Sequence, residues 1–187
     1  MEEHVKVNIK NTKKLMKNIN KERYRQLKVN RYDPTIKMIE EYIEKDSSIL
    51  DIGIREGAFL DVLKNYGYTD LWGTDIYKEG VENASKNGHT TFVQDAQKLN
   101  IDHKFKAITI SHVLEHCPDM NKVVDNMYNH LEMNGIVYVE VPKEKKGPIP
   151  SKHAHYFNFS KLDELASFFP HLLLFHLHQI YQHQILL

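Results

Sequence analysis

Only one cysteine, Cys117, occurs in 187 residues, so no disulfide can close within the chain and no CxxC pair offers a metal site. An excess of charge is also missing. Twenty-five lysines and arginines meet 25 aspartates and glutamates, so no strong overall field draws the chain toward nucleic acid or membrane. No apolar run approaches the ~18 residues needed to cross a bilayer. The first residues, Met1 to Lys14, lack the basic-then-apolar order of a secretory leader. These absences lead to the expectation of a cytoplasmic protein with no membrane partner. What is present is an ordinary 41% hydrophobic share, in a length that suits one domain with a proper core.

The apolar residues are grouped with a clear alternation. Residues 1–30 read as a lysine-rich helical arm with a thin apolar face, and residues 31–187 as the folded domain. Asp33-Pro34 is expected to open a helix whose buried stripe is Ile36, Ile39, Tyr42 and Ile43, with Pro34 in its first turn. Strands are predicted at Ser48 to Ile52, Leu71 to Ile76, Thr90 to Val93, Ala107 to Ser111 and Ile136 to Val141. Helices are predicted from Ala58 to near Gly67, from Glu79 to Lys86 and from Met120 to Leu131, with Asn134-Gly135 closing the last. A helix starting at Ser160 and two strands, Leu172 to Leu177 and Ile180 to Leu187, complete the pattern. The fold class is therefore α/β: a doubly wound, mostly parallel sheet of seven strands ending in an antiparallel hairpin.

In such a sheet, ligands sit outside the carboxyl ends of the strands, where the strand order reverses. The turn after the first strand, Leu50-Asp51-Ile52-Gly53-Ile54-Arg55-Glu56-Gly57, carries glycines where backbone must bend tightly or approach a ligand. Asp75 ends the second strand, where a carboxylate can accept both hydroxyls of a ribose. Asp95-Ala96 follows the third, placing a carboxylate and an amide for the edge of an adenine. Singly, each acid reads equally well as a helix cap or a solvated strand end. Three acids at successive strand ends make a pattern.

With these residues in view the chain resembles class I S-adenosylmethionine-dependent methyltransferases, the small-molecule subgroup in particular. The resemblance runs from about Arg31 to Phe169 and rests on ILDIGIREGAFL, GTDI, FVQDAQKL, SHVLEHCPD, GIVYVEVP and HAHYFNFSKLDEL, in the family's order. It implies S-adenosylmethionine as cofactor. Asp51, Gly53 and Gly57 would line its methionine part, Asp75 and Ile76 the ribose side, Asp95 and Ala96 the adenine, with Ser111 facing the methionine end. Arg31 or Tyr32 would reach the cofactor carboxylate or serve the surface. One position departs from the family: Arg55 stands where a glycine is usual, and arginine tolerates positive φ poorly. The loop is then reshaped with Arg55 toward solvent, or Arg55 pairs with a carboxylate such as the cofactor's own, or cofactor binding is weakened or lost.

Methyl transfer from a sulfonium requires the acceptor to be held in line at ~3 to 3.5 Å, and a base only where the acceptor carries a proton to be removed. His112 and His155 are the candidate bases, set against a structural reading of His116 and Glu115. His112, Glu115, His116 and His155 could alternatively surround a divalent cation, as in small-RNA 3′-end methyltransferases, although our primary reading assigns no metal. The expected partner is a small-molecule acceptor with a hydroxyl or amine, with a homodimer completing the site. Two other functions fit the same residues. An RNA-modifying enzyme would use Lys10, Lys13, Lys14, Lys17, Lys21, Lys143, Lys145, Lys146 and Lys152 on phosphates. A non-catalytic scaffold would have lost its cofactor through Arg55.

Overall fold

The structure, a computed structural model, describes residues 29–142 and Ser167. Residues 1–28 of the N-terminal arm, the Ser160 helix apart from Ser167, the terminal hairpin and His155 lie outside the described residues. Five strands follow from the apolar runs: β1 (Ser48–Ile52), β2 (Asp70–Asp75), β3 (Thr90–Val93), β4 (Phe105–Ser111) and β5 (Leu131–Glu140). All neighbours pair in parallel, in the order β3-β2-β1-β4-β5. The chain therefore reverses its direction of travel across the sheet between β1 and β4. The sheet is α/β and doubly wound, as the alternation required.

Both faces are covered because the strands are apolar on both sides. Helix α1 (residues 29–39), α2 (Ala58–Asn65) and α3 (Lys78–Lys86) lie on one face, where Ile36, Ile39, Leu60, Leu63, Val81 and Ala84 pack on Ile49, Ala107, Ile136 and Tyr138. Helix α4 (Met120–His130) covers the other, where Val123, Val124 and Met127 meet Leu50, Ile52, Ile108, Ile110, Val137 and Val139. Alternate residues of β1, β4 and β5 thus feed opposite cores.

Strand and helix boundaries fall on those expected or shift by one or two residues, and two differ more. Helix α1 is already formed at residue 29, so Pro34 lies beyond its first turn. The cause is an earlier extension of the apolar stripe, since Val29 and Tyr32 also pack on the core. The helix stops at 39, which turns Tyr42 out to solvent. The second difference is at Asn134-Gly135, which does not close α4. Helix α4 ends at His130, and Leu131 is already extended and paired with Phe105. The next pair joins Ala107 to Ile136, so residues 132–135 bulge from β5, with Asn134 at φ 61°. The Lys106 ammonium holds the bulge by donating to the Asn134 carbonyl at 2.7 Å.

Candidate active site

The carboxyl ends of β1, β2, β4 and β5 border two adjoining chambers. The smaller, of about 540 Å³, is walled by Thr74, Asp75, Ile76, Gln94, Asp95, Ala96, Gln97, Val113 and Cys117. The larger, of about 670 Å³, lies under α1 and is walled by Arg31, Tyr32, Thr35, Asp51, Phe59, Thr109, Tyr138 and Glu140. Gly53, Arg55, Ser111 and His112 border both and form a shared throat. Both volumes are in the range of small-molecule sites.

The turn after β1 is built by the residues around it. The Gly53 amide donates to the Thr74 carbonyl at 2.7 Å, which ties the turn to β2. Gly53 has φ 86°, and a side chain there would strike Val113. Arg55 adopts φ 52°, so the departure from glycine does force the left-handed region on an arginine. The conformation is held by Asp75, whose Oδ2 accepts the Arg55 amide at 2.7 Å while Oδ1 accepts the Tyr77 amide at 2.8 Å. Gly80 adapts to it as well: a Cβ there would come within 2.1 Å of the Arg55 carbonyl oxygen. Arg55 is exposed and leaves both chambers open.

Gly57 stands apart from the other loop residues. It caps α2 at φ 77°, is buried against Ala84 and borders neither chamber. Its lack of a side chain serves the close packing of α2 on α3. Asp51, Gly53 and Ser111 border the larger chamber, and Asp75, Ile76, Asp95 and Ala96 the smaller. Asp95 also caps the 3-10 turn after β3, accepting from the Gln97 amide at 2.9 Å. One acid therefore both caps this turn and borders the smaller chamber.

Electrostatics divide the larger chamber. Asp51 is buried, and burial, followed by the nearby Asp75 and Glu140 charges, pushes its carboxyl up to about 7 against the opposing hydrogen bond from Thr109. Glu140 is buried too, which alone would raise it. Hydrogen bonds from His112 and Ser111, with the charges of His112 and Arg31, outweigh burial and hold it below the usual carboxylate range.

His112 lies between two carboxylates. Its Nδ1 lies 3.3 Å from Glu115 Oε1 and its Nε2 lies 3.1 Å from Glu140 Oε1. Those two carboxylates raise the ring to about 9 against partial burial. At neutral pH the ring is an imidazolium, with both nitrogens donating, so it has no lone pair with which to act as a base or bind a metal. Glu115 is buried, as the structural reading required, and its Oε2 has no hydrogen-bond partner among the described residues. Among those residues no three His, Cys, Asp or Glu side chains are arranged to hold a metal ion. The Cys117 thiol, raised to about 11 by burial and by Asp95 and Glu115, is not a nucleophile.

Sequence reasoning missed Thr35, Thr109, Tyr138 and Glu140. The Thr35 hydroxyl bonds Tyr138 Oη at 3.1 Å across 103 residues of sequence, a pairing that no local pattern encodes. Glu140 carried a usable signal. In IVYVEV the alternate residues Ile136, Tyr138 and Glu140 share one face, so a charge falls on a buried face at a strand's carboxyl end.

A sequence profile described as a methyltransferase domain matches residues 9–182, and the chain belongs to that family. No curated protein matches it. It is similar in structure to S-adenosylmethionine-bound CalS10 of Micromonospora echinaspora, an amino pentose methyltransferase involved in calicheamicin biosynthesis. That likeness has 17% identity and a TM-score of 0.53 over 64% of this chain and 54% of that one. DesVI of Streptomyces venezuelae is similar at 19% identity and a TM-score of 0.53, over 60% of this chain and 50% of that. An S-adenosylmethionine-dependent methyltransferase of Clostridium acetobutylicum is similar at 22% and 0.50, over 56% and 46%. At these identities the likeness shows the fold. The chain spans about half the length of these solved relatives.

Proposed function

We propose that this protein is an S-adenosylmethionine-dependent methyltransferase that places a methyl group on an oxygen or nitrogen of a small-molecule acceptor. The observation that carries this is the pair of chambers meeting at Gly53, Arg55, Ser111 and His112, where the sheet reverses its order. The donor set fits the cofactor. Asp75 keeps unused lone pairs for ribose hydroxyls after accepting two amides, Ile76 and Val113 give an apolar wall, and Asp95 with Ala96 offers polar atoms for the base. The cofactor, when bound, supplies a methyl group on a positively charged sulfur. This chain's residues contribute position: the throat sets where the two chambers meet, and the Glu115–His112–Glu140 chain fixes its floor.

His112, charged at neutral pH, serves this reading as a positioning residue that also orients Glu140, and His155 keeps the proposed base role. The amino pentose acceptor of CalS10 supports an acceptor of metabolite size. The RNA reading rests on lysines that lie outside the described residues. The scaffold reading draws on Arg55 and on the short length, and the chambers that stay open beside Arg55 support the enzyme reading.

Calorimetry with S-adenosylhomocysteine tests the cofactor site. Asp75→Ala is expected to weaken binding at least about tenfold, the loss of charge-assisted hydrogen bonds. Asp125→Ala, on the exposed face of α4, is expected to bind as the parent does. Unchanged affinity in a folded Asp75→Ala protein would refute the assignment.

A further inference from the structure

We infer that Arg55, the residue occupying the family's glycine position, binds the carboxylate of the cofactor's amino-acid part. The inference rests on the cofactor reading above and adds a residue to it. Arg55 borders both chambers at the throat, so a ligand lying across the throat comes within reach of its side chain. Its exposed guanidinium has no ion pair or side-chain hydrogen bond among the described residues, and the one bond of this residue to Asp75 comes from its backbone amide.

The other arginine of the larger chamber is differently placed. Arg31 lies 4.0 Å from Glu140 and over the ring of Tyr32 at 5.7 Å, so its charge already faces partners. The larger chamber also holds the buried carboxyls Asp51 and Glu140 on its inner side. Glu140 is already paired with His112 and Arg31, which leaves the Asp51 carboxyl to accept a ligand ammonium on that inner side and the exposed Arg55 to meet a carboxylate at the rim. An amino-acid group with both charges is therefore oriented by Arg55 outside and Asp51 inside. The loop is committed to presenting this side chain. The Asp75 bond holds the residue 55 amide, and Gly80 leaves room for its carbonyl oxygen, so an unusual backbone is accommodated on both sides. A fork-shaped guanidinium suits a carboxylate geometrically as well as by charge.

Calorimetry with two ligands separates this role from a role in loop shape. S-Adenosylhomocysteine carries the carboxylate, and 5′-methylthioadenosine lacks the amino-acid group altogether. Arg55→Ala retains a Cβ, and therefore the backbone restriction at positive φ, while removing the charge. It is expected to weaken S-adenosylhomocysteine about tenfold and to change methylthioadenosine by less than about twofold, with Arg55→Lys recovering part of the loss. The difference between the two ligands should shrink at high salt, because the pair is exposed. Three outcomes overturn the inference: an Arg55→Ala protein that keeps full affinity for S-adenosylhomocysteine, one that loses both ligands equally, or a carboxylate-specific loss in Arg31→Ala and not in Arg55→Ala. Methylthioadenosine binding by the unmodified protein checks the site itself. If it is present, those outcomes remove the Arg55 assignment alone; if both ligands fail to bind, the cofactor site falls and the assignment with it.

Discussion

A buried aspartate with a carboxyl near neutrality responds to what enters the larger chamber. Asp51 sits at about 7 because burial disfavours its charge and two other carboxylates repel it. A ligand ammonium placed beside it reverses that balance and favours ionisation. S-Adenosylhomocysteine binding at pH 7 is therefore expected to release about half a proton, read as a difference in binding heat between phosphate and Tris buffers. Asp51→Asn should abolish the difference. Had the release persisted in that variant, another group would be its source. The candidate acids themselves were legible in the sequence, because a carboxylate at the end of an apolar strand is conspicuous. Their protonation was not legible, since the environment of Asp51 is made by Thr109, Asp75 and Glu140, which lie 58, 24 and 89 positions away in the chain.

At the scale of elements, β4 and β5 end in one connected polar cluster. The His112 amide donates to the Glu140 carbonyl at 2.9 Å, and its ring is held between Glu115 and Glu140. An unfolded histidine loses its proton near ~6.5, whereas the folded ring keeps it up to about 9. The stabilisation from this pairing is therefore complete below ~6.5 and is lost as pH rises through about 9. Thermal unfolding followed from pH 6 to 10 should show a steeper decline in the parent than in His112→Asn. Asparagine is chosen because residue 112 has φ 54°, which it tolerates. Equal slopes would mean that the ring is not charged in the folded state. Element type was well foreshadowed by local pattern: β3 runs from Thr90 to Val93 as expected, and β1 from Ser48 to Ile52. The start of β5 was obscured because Asn-Gly ordinarily signals a helix end, whereas here Leu131 is captured by Phe105 before that dipeptide is reached. Capture by a neighbouring strand is a tertiary event with no local signature.

Over the whole molecule, one sheet separates two cores, and each should respond to damage on its own. Leu60 lies with α1, α2 and α3, and Met127 lies with α4 on the opposite face. Leu60→Ala and Met127→Ala are each expected to destabilise by about 2–5 kcal/mol in denaturant unfolding. Their effects should add within about 0.5 kcal/mol in the double variant, since no side chain is shared. Marked non-additivity would show that strain passes through the sheet. The doubly wound architecture was foreseeable at this scale, because apolar strands buried on both faces need helices on both. The two chambers were less so: the ring of contacts around the larger one is drawn from α1, β1, β4 and β5, segments that only the completed fold brings together. That shared throat has a consequence for the sequence of events. A molecule lodged across Gly53 and Ser111 becomes, for any second visitor, a piece of furniture in the room it enters. The guest that arrives first then finishes the lodging for the next, and its departure dismantles what the next one leaned on.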